Sequence, residues 1–175
     1  MDIDQLRYPV GKFAAPVNVT ADQRKLWIEE IKDLPSLLEG EVEGLSASDL
    51  LKVYRPDGWN ITQLVHHLAD SHMNSFIRFK LALTEDKPTI KPYLEGKWSQ
   101  MPDNTKLDLK YSLAILKPLH HRWGYLLDHM SEEEFSNSGY IHPEKGRVQM
   151  LNEVLALYAW HCRHHLAHIR IAKNS

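Results

Sequence analysis

The chain has 175 residues, 43% hydrophobic and 25% charged, which are values of a globular protein long enough for one domain with a sizeable core. A formal net charge of -2 gives no electrostatic case for nucleic acid or an anionic membrane surface, and no apolar run approaches the roughly 18 residues of a membrane span. The opening Met1-Asp-Ile-Asp-Gln lacks the basic and apolar regions of a signal peptide, and with Cys162 alone no disulfide can form within the chain; both fit a cytoplasmic setting.

In chain order, residues 1 to 19 contain Pro9, Gly11 and Pro16 and read as an extended arm. Thr20 and Gln23 form a capping box that starts a helix with Leu26, Trp27, Ile31, Leu34, Leu37 and Leu38 as its apolar stripe. Pro35 is expected to kink or split it. Residues 44 to 58 form a connection with a helical turn near Ser48, ending in the turn signal Tyr54-Arg-Pro-Asp-Gly58. A second long helix runs from about Asn60, its N-cap, to Leu83. Gln63, His67, Asp70, Ser71, Asn74 and Arg78 make one polar stripe on it, while Val65, Leu68, Ala69, Met73, Phe76, Phe79 and Leu83 cover much of the rest. That stripe faces either water or a cavity inside a bundle.

Residues 85 to 106, with Pro88, Pro92 and Pro102, read as a long ordered loop or lid rather than a helix. The third helix spans about Leu107 to Met130, with a kink expected at Pro118 and with His120 and His121 as surface or packing residues. Ser131 and Glu134 form another capping box before a short turn. Tyr140 to Met150 reads as a small hairpin with Glu144 to Gly146 at its tip. From Leu151 onward there is no Pro or Gly, and a fourth helix follows. Four long helical patterns and one hint of strand argue for an all-α fold, a four-helix bundle in a single domain.

The fourth helix carries the chemistry. Val154, Tyr158, His161, His165 and His168 share one stripe at about 100° per residue, and His161 and His165 stand one turn apart, so their rings can converge on one metal ion. The third ligand comes from His66, His67 or His72; His67 lies at the centre of the polar stripe, with His66 about 100° and His72 about 140° away. Asp70 on nearly the same face could orient a ligand imidazole. Three protein ligands leave positions open for water or substrate, the catalytic pattern. The metal would then lower the pKa of a bound water or thiol. Ligand type alone does not choose among Zn, Ni, Co and Fe. No His-Glu-x-x-His, P-loop or nucleophile elbow is present. Cys162 points off the histidine stripe and reads as a packed or partly exposed thiol.

Several segments resemble the YfiT branch of the DinB superfamily: Val65-His-His-Leu-Ala-Asp-Ser-His-Met-Asn-Ser-Phe-Ile-Arg-Phe-Lys-Leu81, Pro56-Asp-Gly-Trp59, Trp160-His-Cys-Arg-His-His-Leu-Ala-His-Ile169, Arg7-Tyr-Pro-Val-Gly11 and Ile90-Lys-Pro-Tyr93. The resemblance implies a four-helix bundle holding one divalent metal, nickel or zinc, on His67, His161 and His165, with His164 and His168 behind it or at the surface. It also implies a metal-dependent hydrolase, or a transferase of a low-molecular-weight thiol, and a homodimer. On this reading the chain is an enzyme, with Asn74 and Arg78 available to an anionic substrate or thiol and Tyr158 available as a hydrogen-bond donor. A stress-response module that binds metal without turnover is the rival of a different class.

Overall fold

The computed structural model describes residues 2–175. Its elements in chain order are α1 (Ile3–Arg7), α2 (Ala21–Val42), α3 (Ala47–Leu50), α4 (Ile61–Thr84), α5 (Glu95–Trp98), α6 (Pro102–Lys106), α7 (Lys110–Asp128), α8 (Glu132–Asn137), β1 (Gly139–His142), β2 (Arg147–Met150) and α9 (Leu151–Lys173). The long helices α2, α4, α7 and α9 form a four-helix bundle. Their packing makes a ring: α2 lies against α7 and α9, and α4 lies against the same two. Helices consecutive in sequence, α2 and α4 or α7 and α9, therefore sit across the diagonal. Each diagonal pair is joined by a segment that carries structure of its own, α3 in one and α8 with the hairpin in the other.

Local sequence sets most boundaries. Gln63 N–H reaches Asn60 Oδ1 at 2.9 Å while Asn60 N–H reaches Gln63 Oε1 at 3.1 Å, which closes the start of α4. Thr20 with Gln23 does the same for α2, and Ser131 with Glu134 for α8. The hairpin pairs Gly139 with Met150 through to His142 with Arg147. Gly139 is required there, because a Cβ would stand 2.5 Å from the Gln149 carbonyl oxygen.

Three expectations need correction. The N-terminal arm contains a helical turn, α1, too short to show a period, begun by Asp2 N–H bonding Gln5 Oε1. The segment 85–106 holds α5 and α6, four and five residues long, between extended stretches. One stretch pairs with the hairpin: Ile141 N–H donates to Pro88 O at 2.9 Å and Ile90 N–H to Ile141 O at 3.0 Å. Of the kink or split expected at Pro35, the split does not occur: α2 runs unbroken through Pro35, as α7 does through Pro118. Each proline only removes one helical donor, so Ile31 O loses the N–H it would have met. Finally, the buried face of α2 is Ile28, Ile31, Leu34, Leu38 and Val42, whereas Leu26 is 65% and Leu37 46% exposed.

All of Ile61 to Ala69 is buried, polar and apolar side chains alike, because α4 has a partner helix on each side. The polar stripe of α4 therefore faces protein and not water. Two leucines of α2 test the packing. Leu34→Ala is expected to destabilise the protein by about 2–5 kcal/mol, and Leu26→Ala by no more than about 0.5 kcal/mol. Urea denaturation of the two variants separates these outcomes.

Candidate metal centre

Helices α4 and α9 lie side by side and bring three imidazoles together. His67 Nε2 and His161 Nε2 stand 3.2 Å apart. One nitrogen from each of His67, His161 and His165 lies within 4.8 Å of the other two. The rings of His161 and His165 are one helical turn apart, with centroids 4.4 Å apart. Two nitrogens on one tetrahedral zinc, each at about 2.0–2.1 Å, would stand about 3.3 Å apart. The closest pair already has that spacing. Trp59, at the entry to α4, lies over the cluster, with its centroid 4.7 Å from His67 and 6.5 Å from His165.

Burial decides the charge of these rings. It lowers His67 to about 4 and holds His161 and His165 well below the ordinary histidine value, with neighbouring imidazoles adding repulsion. Near neutral pH all three are uncharged and can offer lone pairs. A divalent ion held by three neutral donors keeps its full charge.

Among the described residues a second group, His164, His165 and His168, also brings three nitrogens within 4.8 Å. It shares His165, and a neutral imidazole has one lone pair, so His165 can serve one ion only. The rest of that group is engaged elsewhere. His168 Nδ1 lies 3.4 Å from His165 Nδ1, its Nε2 lies 3.3 Å from Arg7 O, and its ring stacks on Tyr54 at 3.8 Å. His164 stacks on Trp160 at 4.3 Å.

The other residues singled out in the sequence have surroundings of their own. Asp70 is not bonded to His67; its Oδ2 accepts from Asn104 Nδ2 at 2.9 Å. Asn74 turns back on its own helix and donates to Asp70 O at 2.8 Å. Tyr158 approaches the cluster, 5.5 Å from His161 between ring centroids, and its hydroxyl donates to Ser71 O at 3.2 Å. Arg78 is 8% exposed, donates to Lys91 O at 3.2 Å and forms no salt bridge among the described residues. Cys162 is buried, and that burial pushes its thiol pKa well up, so it is a packed, unreactive thiol. His66 bonds Ser112 Oγ at 2.7 Å and Leu107 O at 3.1 Å, away from the cluster.

His72, weighed in the sequence only as a candidate ligand, and His120, read as a surface or packing residue, meet each other and the cluster instead. His72 Nε2 lies 3.1 Å from His161 Nδ1, and His72 Nδ1 lies 2.9 Å from His120 Nε2. His120 Nδ1 in turn lies 2.6 Å from Ile31 O. A helical wheel centred on the α4 polar stripe puts His72 on the far side, but that side faces α7, from which His120 comes. Three histidines in one stretch of α4 were the available signal.

Beside the cluster is a cavity of about 360 Å³. His161, Ser71, Tyr158 and Arg78 line it, together with Tyr93 and Glu95 of the segment read as a lid. Larger depressions elsewhere include none of the three converging histidines.

The neutral rings make a pH prediction. Burial lowers His67, His120 and His164 to about 4 and His168 to about 3. An unfolded histidine titrates near about 6.5, so as pH falls the unfolded chain takes up protons first. Stability of the metal-free protein is expected to be level above about pH 7 and to fall by several kcal/mol, on the order of 3 or more, between about pH 6.5 and 4. Melting curves across that range check this, and an unchanged melting temperature from pH 7 to 4.5 would contradict it.

The family model described as DinB superfamily matches residues 30–169. A Bacillus cereus protein that bears the name "Putative metal-dependent hydrolase" is 47% identical over 167 residues, covering 95% of each chain. YfiT of Bacillus subtilis, which bears the same description, is 43% identical over 164 residues, covering 94% of this chain and 92% of its own. The solved structure of Bacillus subtilis YfiT, described as a probable metal-dependent hydrolase with an unusual four-helix bundle topology, matches with a TM-score of 0.93 at 42% identity over 97% of both chains. The chain therefore belongs to the DinB superfamily, in its YfiT branch.

Proposed function

We propose that the protein is a metal-dependent enzyme of hydrolase type in which His67, His161 and His165 hold one divalent ion, nickel or zinc. The observation that carries this reading is the convergence of three uncharged imidazoles, His67 and His165 buried and His161 half-buried, two of them with nitrogens 3.2 Å apart, at the edge of a cavity large enough for a small molecule. Three donors do not saturate such an ion, which is the arrangement of a catalytic site rather than a structural one. When bound, the metal supplies Lewis acidity that brings the pKa of a coordinated water or small thiol towards neutrality.

The protein's own groups do the rest. His161 belongs both to the cluster and to the cavity wall, so a substrate in the cavity meets the metal position directly. The deeper lining, Ser71, Tyr158 and Arg78, is buried, while Leu94, Glu95 and Glu144 at the mouth are exposed. Arg78 brings a buried positive charge without a carboxylate partner, so it suits an anionic group on a small substrate or thiol. The acidic mouth disfavours polyanions. Tyr158 and Ser71 position the substrate's polar atoms beside the metal position.

Metal analysis of protein purified without a His tag tests the site. About one equivalent of nickel or zinc is expected in the parent and little in His165→Ala; equal metal in both, or none in the parent after reconstitution, would remove the site. With metal present, product that forms only on addition of a thiol and carries its sulfur would assign thiol transfer instead of hydrolysis. A second test concerns the cavity. Arg78→Gln is expected to keep the metal and to bind benzoate about tenfold more weakly, with binding of neutral benzamide unchanged. Equal benzoate affinity in parent and variant, measured by titration calorimetry, would take Arg78 out of substrate recognition.

A further inference from the structure

We infer that a relay of three histidines, closed by a carbonyl that a proline sets free, fixes the tautomer of His161 and aims its Nε2 lone pair at the metal position. The relay's purpose rests on reading the His67, His161 and His165 cluster as a metal site; its geometry does not.

The relay begins in α2. In a helix the carbonyl of residue 31 meets the N–H of residue 35. Residue 35 is proline and has no N–H, so Ile31 O is left without its helical donor in the middle of a buried helix face. An unpaired buried carbonyl is costly, and here it is met by His120 Nδ1 at 2.6 Å. A carbonyl only accepts, so His120 carries its proton on Nδ1. His120 is 1% exposed and His72 is fully buried, and buried imidazoles are held neutral, so each has one donor and one acceptor. His120 Nε2 must then accept, and its partner 2.9 Å away is His72 Nδ1, which donates. His72 Nε2 in turn accepts from His161 Nδ1 at 3.1 Å. The last ring in the chain is left with a bare Nε2, and that is the atom 3.2 Å from His67 Nε2. Each assignment follows from its neighbour, and the only fixed point is the carbonyl.

The other ligand on α9 repeats the pattern at longer distances. His165 Nδ1 faces His168 Nδ1 at 3.4 Å, and His168 Nε2 faces Arg7 O at 3.3 Å. Arg7 ends α1, so its carbonyl also lacks a helical donor. The same logic leaves His165 with a free Nε2. A ligand whose other nitrogen donates to a fixed acceptor is held in orientation and made more basic. His72 and His120 are thus positioning residues, which act on the metal through His161.

Nitrogen-15 NMR of the imidazoles, using two-bond nitrogen–proton correlations, reads the tautomers directly. Metal-free parent protein is expected to show His161, His72 and His120 all protonated on Nδ1. Zinc affinity, measured by competition with a chromophoric chelator, is expected to fall by about 10- to 100-fold in His72→Phe, which fills the space but cannot accept. His72→Gln, whose side-chain oxygen can accept, is expected to recover much of that loss. A merely structural role for His72 would lower the melting temperature of His72→Phe and leave zinc affinity alone, overturning the relay. So would a parent His161 protonated on Nε2, a result that needs no variant to fold. A parent with all three rings in the Nδ1–H form that takes up no zinc would uphold the relay and overturn the metal reading.

Discussion

The structure depends on keeping imidazoles neutral inside a helical bundle. Six histidines, His67, His72, His120, His164, His165 and His168, are buried and held by that burial below the ordinary histidine value. Each has one donor and one acceptor nitrogen, and an interior punishes either one left unpaired. Acceptors that cannot change role are therefore needed, and for His120 and His168 the fold finds them in carbonyls that helices leave free, while His164 Nδ1 has no partner among the described residues. Ile31 O is released by Pro35, Arg7 O lies at the end of α1, and Leu107 O at the C-cap of α6 faces His66 Nε2. These short helices and the proline matter less for the shape of the bundle than for what their free carbonyls receive.

The ring order of the helices makes this network fit. Because α4 sits between α7 and α9, its two sides are both interior. One side sends His67 to meet α9, and the other sends His72 towards His120 of α7. His161 lies between them, touching both. An arrangement with α2 and α4 as neighbours would leave one of these sides without its partner. The long diagonal connections that such an order demands also bring Trp59 and the hairpin to the site end.

Much of this was legible in the sequence. The spacing of His161 and His165 and the place of His67 on the α4 wheel select the three residues whose nitrogens converge, since a turn of helix is rigid enough for the period to be trusted. Capping boxes at Thr20, Asn60 and Ser131 mark helix starts because their bonds are local. What could not be read depends on tertiary order. The role of His72 needs the knowledge that α7 faces it, and the roles of Pro35 and Ile31 need His120 to arrive from a segment about 85 residues away. The polar stripe of α4 read equally well as solvated or interior, and only burial on both sides decided it. Asp70 shows the opposite failure: the right face of the helix, but a nearer partner in Asn104.

The central claim is that three imidazoles of α4 and α9 share one ion. Anomalous diffraction from crystals of the native protein, recorded above and below the nickel and zinc absorption edges, tests it most directly. The account predicts one anomalous peak bonded to His67, His161 and His165 at about 2.0–2.2 Å through Nε2 of both α9 ligands, with at least one further position open towards the cavity. A peak among His164, His165 and His168, or no peak in crystals grown with either metal, would contradict it.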